Sequence, residues 1–288
     1  MARGAEPKEG TTDRDLSAEG RATGSYRPAF DDDTQSALSA VPCPCGVSLE
    51  ALTAMVAILR QFGPDIWITD GPIVIAAAGF HYPTRMAVIR LPGASLVIWS
   101  PTALHEDLRK EIEALGAVHH LVAPNTLHHV FLGDWQRAYP EALVHAPPGL
   151  SAKRADIRID SELTDLPEAG WAADLDQVVF RGNRITTEVA FFHRPSATVL
   201  FTDLIQHLPP GWFKGWRAAV ARLDLMVAPW PEVPRKFRLA FRDRPAARAA
   251  VERVLAWPVR KLLMAHGAPV TDGGQEAIRH AFRWLTDR

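Results

Sequence analysis

Three histidines in this chain follow short apolar runs of the kind that form β-strands. His129 comes after Leu121-Val122-Ala123-Pro124, His193 after Val189-Ala190-Phe191-Phe192, and His266 after Lys261-Leu262-Leu263-Met264-Ala265. A fourth run, Val199-Leu200-Phe201-Thr202, ends at Asp203. Strand ends sit on rigid backbone, so side chains from distant parts of a chain can be aimed from them at one point. Imidazole and carboxylate together are the usual ligands of hydrolytic metal centres. These residue types in these places point to a metal-site scaffold.

Other chemistries find less support. The only cysteines, Cys43 and Cys45, are too few for a structural zinc site, which wants four ligands, and one residue between them suits a mutual disulfide poorly. No G-x-S-x-G, P-loop or G-x-G-x-x-G pattern marks a serine hydrolase or a nucleotide enzyme. A formal charge of -1 gives no reason to expect nucleic acid, and the basic stretch from Arg235 to Arg253 reads as a solvated helical face. No apolar stretch approaches the roughly 20 residues that cross a bilayer, and the N-terminus has no signal-peptide core. The expectation is a cytoplasmic protein with a small-molecule substrate and neither nucleic acid nor membrane as partner.

The elements that must position these residues are readable in outline. Residues 1–45 are polar and lack periodicity, which predicts a disordered tail ahead of one domain over 46–288. Leu49, Leu52, Val56 and Leu59 have helical spacing. From Asp65, β-type runs follow one another: Ile66–Ile68, Ile73–Ile75, Met86–Ile89 and Leu96–Trp99. Leu104, Leu108, Ile112 and Leu115 then share a helical face that Gly116 ends, and His119–Ala123 is the next strand. Strand, helix, strand at this spacing predicts a parallel βαβ unit. The second half repeats the theme. Strands are expected at 177–180, 187–192, 197–202, 225–228 and 259–265, and helices at 213–223, 245–255 and 275–285. Two such halves predict an α/β fold, a four-layer αββα sandwich of two mixed sheets packed face to face.

The order of the loops resembles the metallo-β-lactamase superfamily, whose fold is this sandwich and whose metals sit at strand ends. The family's H-x-H-x-D-H loop corresponds here to Pro124-Asn125-Thr126-Leu127-His128-His129. Phe192-His193-Arg194-Pro195-Ser196, Leu200-Phe201-Thr202-Asp203 and His266-Gly267 match its later ligand positions in order and character. Arg85 to Leu91, Ser100-Pro101 and Val122-Ala123-Pro124-Asn125 are similar to a branch of that superfamily labelled domain of unknown function 4336. The resemblance spans roughly Ile66 to Leu285.

The resemblance implies ligands at His128, His129, His193, Asp203 and His266, with Asp203 also catalytic. Pro124 and Thr126 stand where two histidines would be, so His193 alone remains at the first metal position. At most one divalent ion is expected, zinc, iron(II) or manganese(II), held by His129, Asp203 and His266, with His128 in place of a lost carboxylate. A mononuclear metal-dependent hydrolase of unknown substrate follows. The alternative is a non-catalytic binding or interaction module of the same fold that has lost its metal.

Neighbouring residues carry open readings. Asn125 either orients a substrate carbonyl or caps the helix after it, capping being the common role of Asn. Arg194 either anchors an anion or pairs with Glu188 or Asp203. His119 and His120 read as strand residues, and His105 as a solvated helix residue. Trp99, Trp135, Trp212, Trp216 and Trp230 either line a pocket or pack.

Overall fold

The computed structural model describes residues 58–287. The tail expected over 1–45, both cysteines and most of the helix expected near 48–60 lie outside the described residues. Arg60 opens a strand there rather than closing a helix.

Among the described residues one sheet has seven strands, in chain order across its width: β1 (Arg60–Gly63), β2 (Ile66–Ile75), β3 (His81–Arg90), β4 (Ser95–Trp99), β5 (Ala117–Val122), β6 (Leu143–Ala146) and β7 (Ser161–Glu162). The pairs from β1 to β4 are antiparallel, and those from β4 to β7 are parallel. The second sheet contains β8 (Leu175–Phe180), β9 (Glu188–His193), β10 (Thr198–Phe201) and β11 (Lys261–Met264), ordered β11-β10-β9-β8. Only β10 and β11 run parallel in it.

Strand periodicity explains the layering, because alternate side chains face opposite sides of a sheet. Along β3 and β4, Ala87, Ile89, Val97 and Trp99 face one core, and Met86, Val88, Leu96 and Ile98 face another. On the second sheet Val189, Phe191, Leu200 and Leu263 join the first of these cores, so it lies between the sheets. Their alternates Ala190, Phe192, Val199, Phe201 and Leu262 face a third core. The two outer cores are covered by helices. Leu108 and Ile112 of α1 (Glu106–Leu115), Leu132 and Trp135 of α2 (Leu132–Ala138) and Leu150 of α3 (Leu150–Lys153) cover the first sheet. Further on lie α4 (Trp216–Leu223) and α5 (Arg235–Ala240). Ala247, Val251 and Val254 of α6 (Arg244–Leu255), with Ile278 and Phe282 of α7 (Gly274–Thr286), cover the second sheet. Each large side chain buried this fully contributes about 1.5–3 kcal/mol. The fold is the four-layer sandwich.

Local signals decide the element ends. His105 is the N-cap of α1, its Nδ1 accepting from the Leu108 amide at 3.3 Å, so it has a structural task beyond a solvated face. Gly116 closes that helix because a Cβ there would lie 2.0 Å from the Ala94 carbonyl oxygen. Ile66–Ile68 and Ile73–Ile75 belong to one bulged strand rather than two. The strand expected at 225–228 is a turn. Leu225 has φ +64°, and the Met226 amide bonds back to Ala221 at the end of α4, which leaves no extended edge to pair. No helix among the described residues is long and apolar enough to cross a membrane.

Candidate metal centre

Sheet register brings two of the expected residues to one edge. β10 and β11 are parallel with Phe201 opposite Met264, so Asp203 and His266 each come two residues after the last pair, at the same level. The loop after β5 crosses to the second sheet, where the Pro124 carbonyl accepts from the Val189 amide at 2.8 Å and Asn125 bridges to Glu188. That crossing delivers His128 to the same edge.

His128, Asp203 and His266 converge, with one ligand atom of each within 4.8 Å of the others. The two Nε2 atoms are 3.1 Å apart, His128 Nε2 is 3.3 Å from Asp203 Oδ2, and His266 Nε2 is 3.3 Å from Asp203 Oδ1. The far side of each ring is tied down. His266 Nδ1 lies 2.7 Å from the Pro83 carbonyl, and His128 Nδ1 lies 2.9 Å from Ser100 Oγ. A carbonyl only accepts, so His266 Nδ1 carries a proton, and its Nε2 is the nitrogen turned toward the carboxylate. Burial pushes His128 toward its neutral form against the pull of Asp203. Burial would raise Asp203, but hydrogen bonds and charge from His128 and His266 outweigh it and hold the carboxyl well below the usual range. An imidazole lone pair facing an ionised carboxylate needs a proton or a cation between them. The donor set therefore fits a divalent ion with two nitrogens, one oxygen and outer partners that fix each ring.

A buried network under the triad holds it in shape. Glu188 accepts from the backbone amides of Thr202, Asp203 and Leu204 at 2.8, 2.9 and 3.1 Å. Asn125 Oδ1 accepts from the amides of Leu127 and His128 at 2.9 and 2.7 Å, which fixes which end of its amide is oxygen. Its Nδ2 then lies 2.6 Å from Asp203 Oδ2, 2.8 Å from Thr202 Oγ1 and 3.2 Å from Glu188 Oε2. Burial, with the Asp203 charge adding to it, pushes the Glu188 carboxyl up to about 7. Gly267 pins the backbone beside His266, since at φ +114° a Cβ would sit 2.0 Å from the His207 carbonyl oxygen. Ser100 takes φ +54°, a conformation of the kind that costs a non-glycine residue about 1 kcal/mol or more, to aim its hydroxyl at His128.

Two expected ligands go elsewhere. His129 turns away from its neighbour, and its Nδ1 lies 2.8 Å from Arg154 Nη1; burial and the charges of Lys153 and Arg154 lower it to about 4. It drops out of the set expected at the second metal position, and His128 stands there. His193 closes β9 at the edge where β10 begins, with Nδ1 2.7 Å from Ser196 Oγ. Since Glu188 opens β9 at the triad, five residue steps put His193 about 17 Å away. The ends of antiparallel neighbours lie at opposite edges, a fact that a strand-end pattern alone does not carry.

Sequence reasoning missed Glu188 as a site residue and Ser100 as a partner of His128. Glu188 had a signal: it is the one acid opening the apolar run Val189 to Phe192, and a carboxylate buried there needs several donors. The capping reading of Asn125 matches its two backbone contacts, although what it caps is a turn. Arg194 pairs with Asp176 at 2.6 Å, not with Glu188 or Asp203. None of the five tryptophans borders the cavity of about 630 Å³ that opens above the triad.

The family model described as Domain of unknown function (DUF4336) matches residues 64–212, just over half of the chain. The chain belongs to this family. No curated protein matches it in sequence. Solved structures share the fold. A metallo-β-lactamase from Pontibacter korlensis superposes with TM-score 0.51 at 13% identity, covering 80% of this chain and 99% of its own. One from Erythrobacter litoralis gives 0.55 at 13% identity, covering 80% and 96%. A metal-soaked flavodiiron core from Synechocystis gives 0.55 at 13% identity, covering 80% and 60%. At such identities the likeness of this DUF4336 chain to them is one of fold.

Proposed function

We propose that this chain is a mononuclear metal-dependent hydrolase whose single divalent ion is held by His128, Asp203 and His266. The convergence of two Nε2 atoms and a carboxylate within 4.8 Å, on the floor of an open cavity, carries the reading. A divalent ion in that set would supply Lewis-acid activation of water near neutral pH. Zinc, iron(II) and manganese(II) all suit two nitrogens and an oxygen. Asp203, ionised and oriented by Asn125, is the group that would hold and orient the attacking water. The Pro83 carbonyl at Nδ1 leaves the His266 Nε2 as the nitrogen for an ion, and the Ser100 hydroxyl would leave the His128 Nε2 so when it accepts from Nδ1.

A second reading, a binding module without catalysis, is favoured by one observation. Around the first metal position of the resembling family, Asn125 and Glu188 spend their polar atoms on each other, on backbone and on the Thr202 and Asp203 side chains, and Thr126 Oγ1 faces Thr186 Oγ1 at 3.0 Å. Turnover of a panel of activated esters by zinc-loaded protein separates the readings. The hydrolase reading expects a rate that Asp203→Asn lowers at least about a hundredfold with the fold intact. Equal rates in the two proteins would replace it with the binding module.

A further inference from the structure

The walls of the cavity carry information about its ligand that the triad does not. Val130, Ile185 and Val220 come from three separate segments and meet at the mouth while 50%, 42% and 39% exposed. Phe80, Phe131 and Phe237 continue the apolar surface inward. Exposed apolar side chains gathered around a concave opening mark a binding site rather than an ordinary surface.

The polar groups on the wall are already engaged. Lys236 Nζ donates to Tyr82 Oη at 2.9 Å and lies 3.6 Å from Asp224 Oδ2, and the Tyr82 hydroxyl donates to Met226 Sδ at 3.3 Å. The wall's one ammonium is thus answered by a carboxylate in the same wall. An anionic ligand would have to displace Asp224, and a sugar or nucleotide would find few free donors. Tyr82 also packs its ring 5.1 Å from that of His266, so the apolar surface runs up to the metal ligands.

We propose that the cavity binds a neutral carbonyl compound with an aliphatic chain, an acyl ester or thioester, its carbonyl at the triad and its chain along Phe80, Phe237 and Val220. The reaction part rests on the hydrolase reading; the binding part stands on the cavity alone.

The test has two arms. In the first, octanamide and acetamide are titrated by calorimetry into metal-free protein held in chelator. Octanamide binds saturably and acetamide does not. Val220→Glu, on an exposed helix position, weakens octanamide at least about tenfold, and Ile185→Glu repeats the result should the first variant misfold. In the second arm, zinc-loaded protein hydrolyses p-nitrophenyl esters with kcat/KM rising roughly a hundredfold from acetate to octanoate. That is about twofold per methylene, against about fourfold for complete burial. Octanamide binding without turnover of any ester overturns the hydrolase reading and leaves this inference standing. Turnover that ignores chain length, absence of octanamide binding, or tighter binding of octanoate than of octanamide overturns this inference and leaves the hydrolase reading standing.

Discussion

Two pairs of imidazoles face each other among the described residues, and only one pair has a carboxylate against both facing nitrogens. His128 and His266 place their Nε2 atoms 3.1 Å apart, and His120 Nδ1 lies 3.0 Å from His145 Nε2. In the first pair the carboxylate of Asp203 lies 3.3 Å from both facing nitrogens, beneath a cavity. In the second the carboxylate of Glu168 stands behind, 3.8 Å from His145 Nδ1, and Ser161 Oγ donates to it. Trp171 packs edge-on against both of those rings. Closeness of histidines therefore decides little. Which nitrogen faces the carboxylate, and whether the meeting point is open, separates a ligand set from a packed core pair.

The largest expected effect concerns the frame of the first cluster. Glu188→Ala leaves three backbone amides without their acceptor, at about 1–3 kcal/mol for each group left unsatisfied. Urea denaturation should show a loss of at least about 3 kcal/mol. Glu168→Ala, on the half-exposed carboxylate of the second cluster, should cost less than half as much. Equal losses would mean that the network under the triad has no special structural weight.

The second cluster should announce itself through pH. Burial, with His120 adding to it, lowers His145 to about 4, and burial lowers His193 to about 4. In the unfolded chain such a ring takes its proton near 6.5, so between pH 6.5 and 4 the unfolded state binds more protons. Stability should fall as pH drops through that window and gain nothing from these groups above it. Thermal melts of metal-free protein across pH 4–7 check this, and His145→Gln should flatten the slope. A slope unchanged in that variant would show that His145 is not held neutral.

A smaller effect tests the outer partners of the first cluster. Ser100→Ala removes the hydroxyl that fixes the His128 ring and should weaken zinc on the order of tenfold in a chelator competition. No change would mean that packing alone orients His128.

Fold and site were legible to different depths. Alternating apolar runs carried the layers, because a period of two sorts side chains between cores whatever the partner strand is. Strand ends carried Asp203 and His266, whose strands turned out parallel and in register. They misdirected His193, since β9 runs against β10 and a single strand does not reveal its neighbour's direction. His128 and His129 are adjacent, and only the Asn125 turn decides which of them faces the site. Glu188 was hidden because its role is to bind backbone, and residue type does not record backbone direction.

Metal stoichiometry tests the central claim most directly. Protein reconstituted with zinc and passed through a desalting column should retain one equivalent per chain by elemental analysis. His266→Ala should fall below about a tenth of an equivalent, whereas His145→Gln and His193→Gln should keep the full amount. Wild-type protein that retains no ion, or a His145→Gln variant that loses it as completely as His266→Ala, would contradict the assignment of the ion to His128, Asp203 and His266.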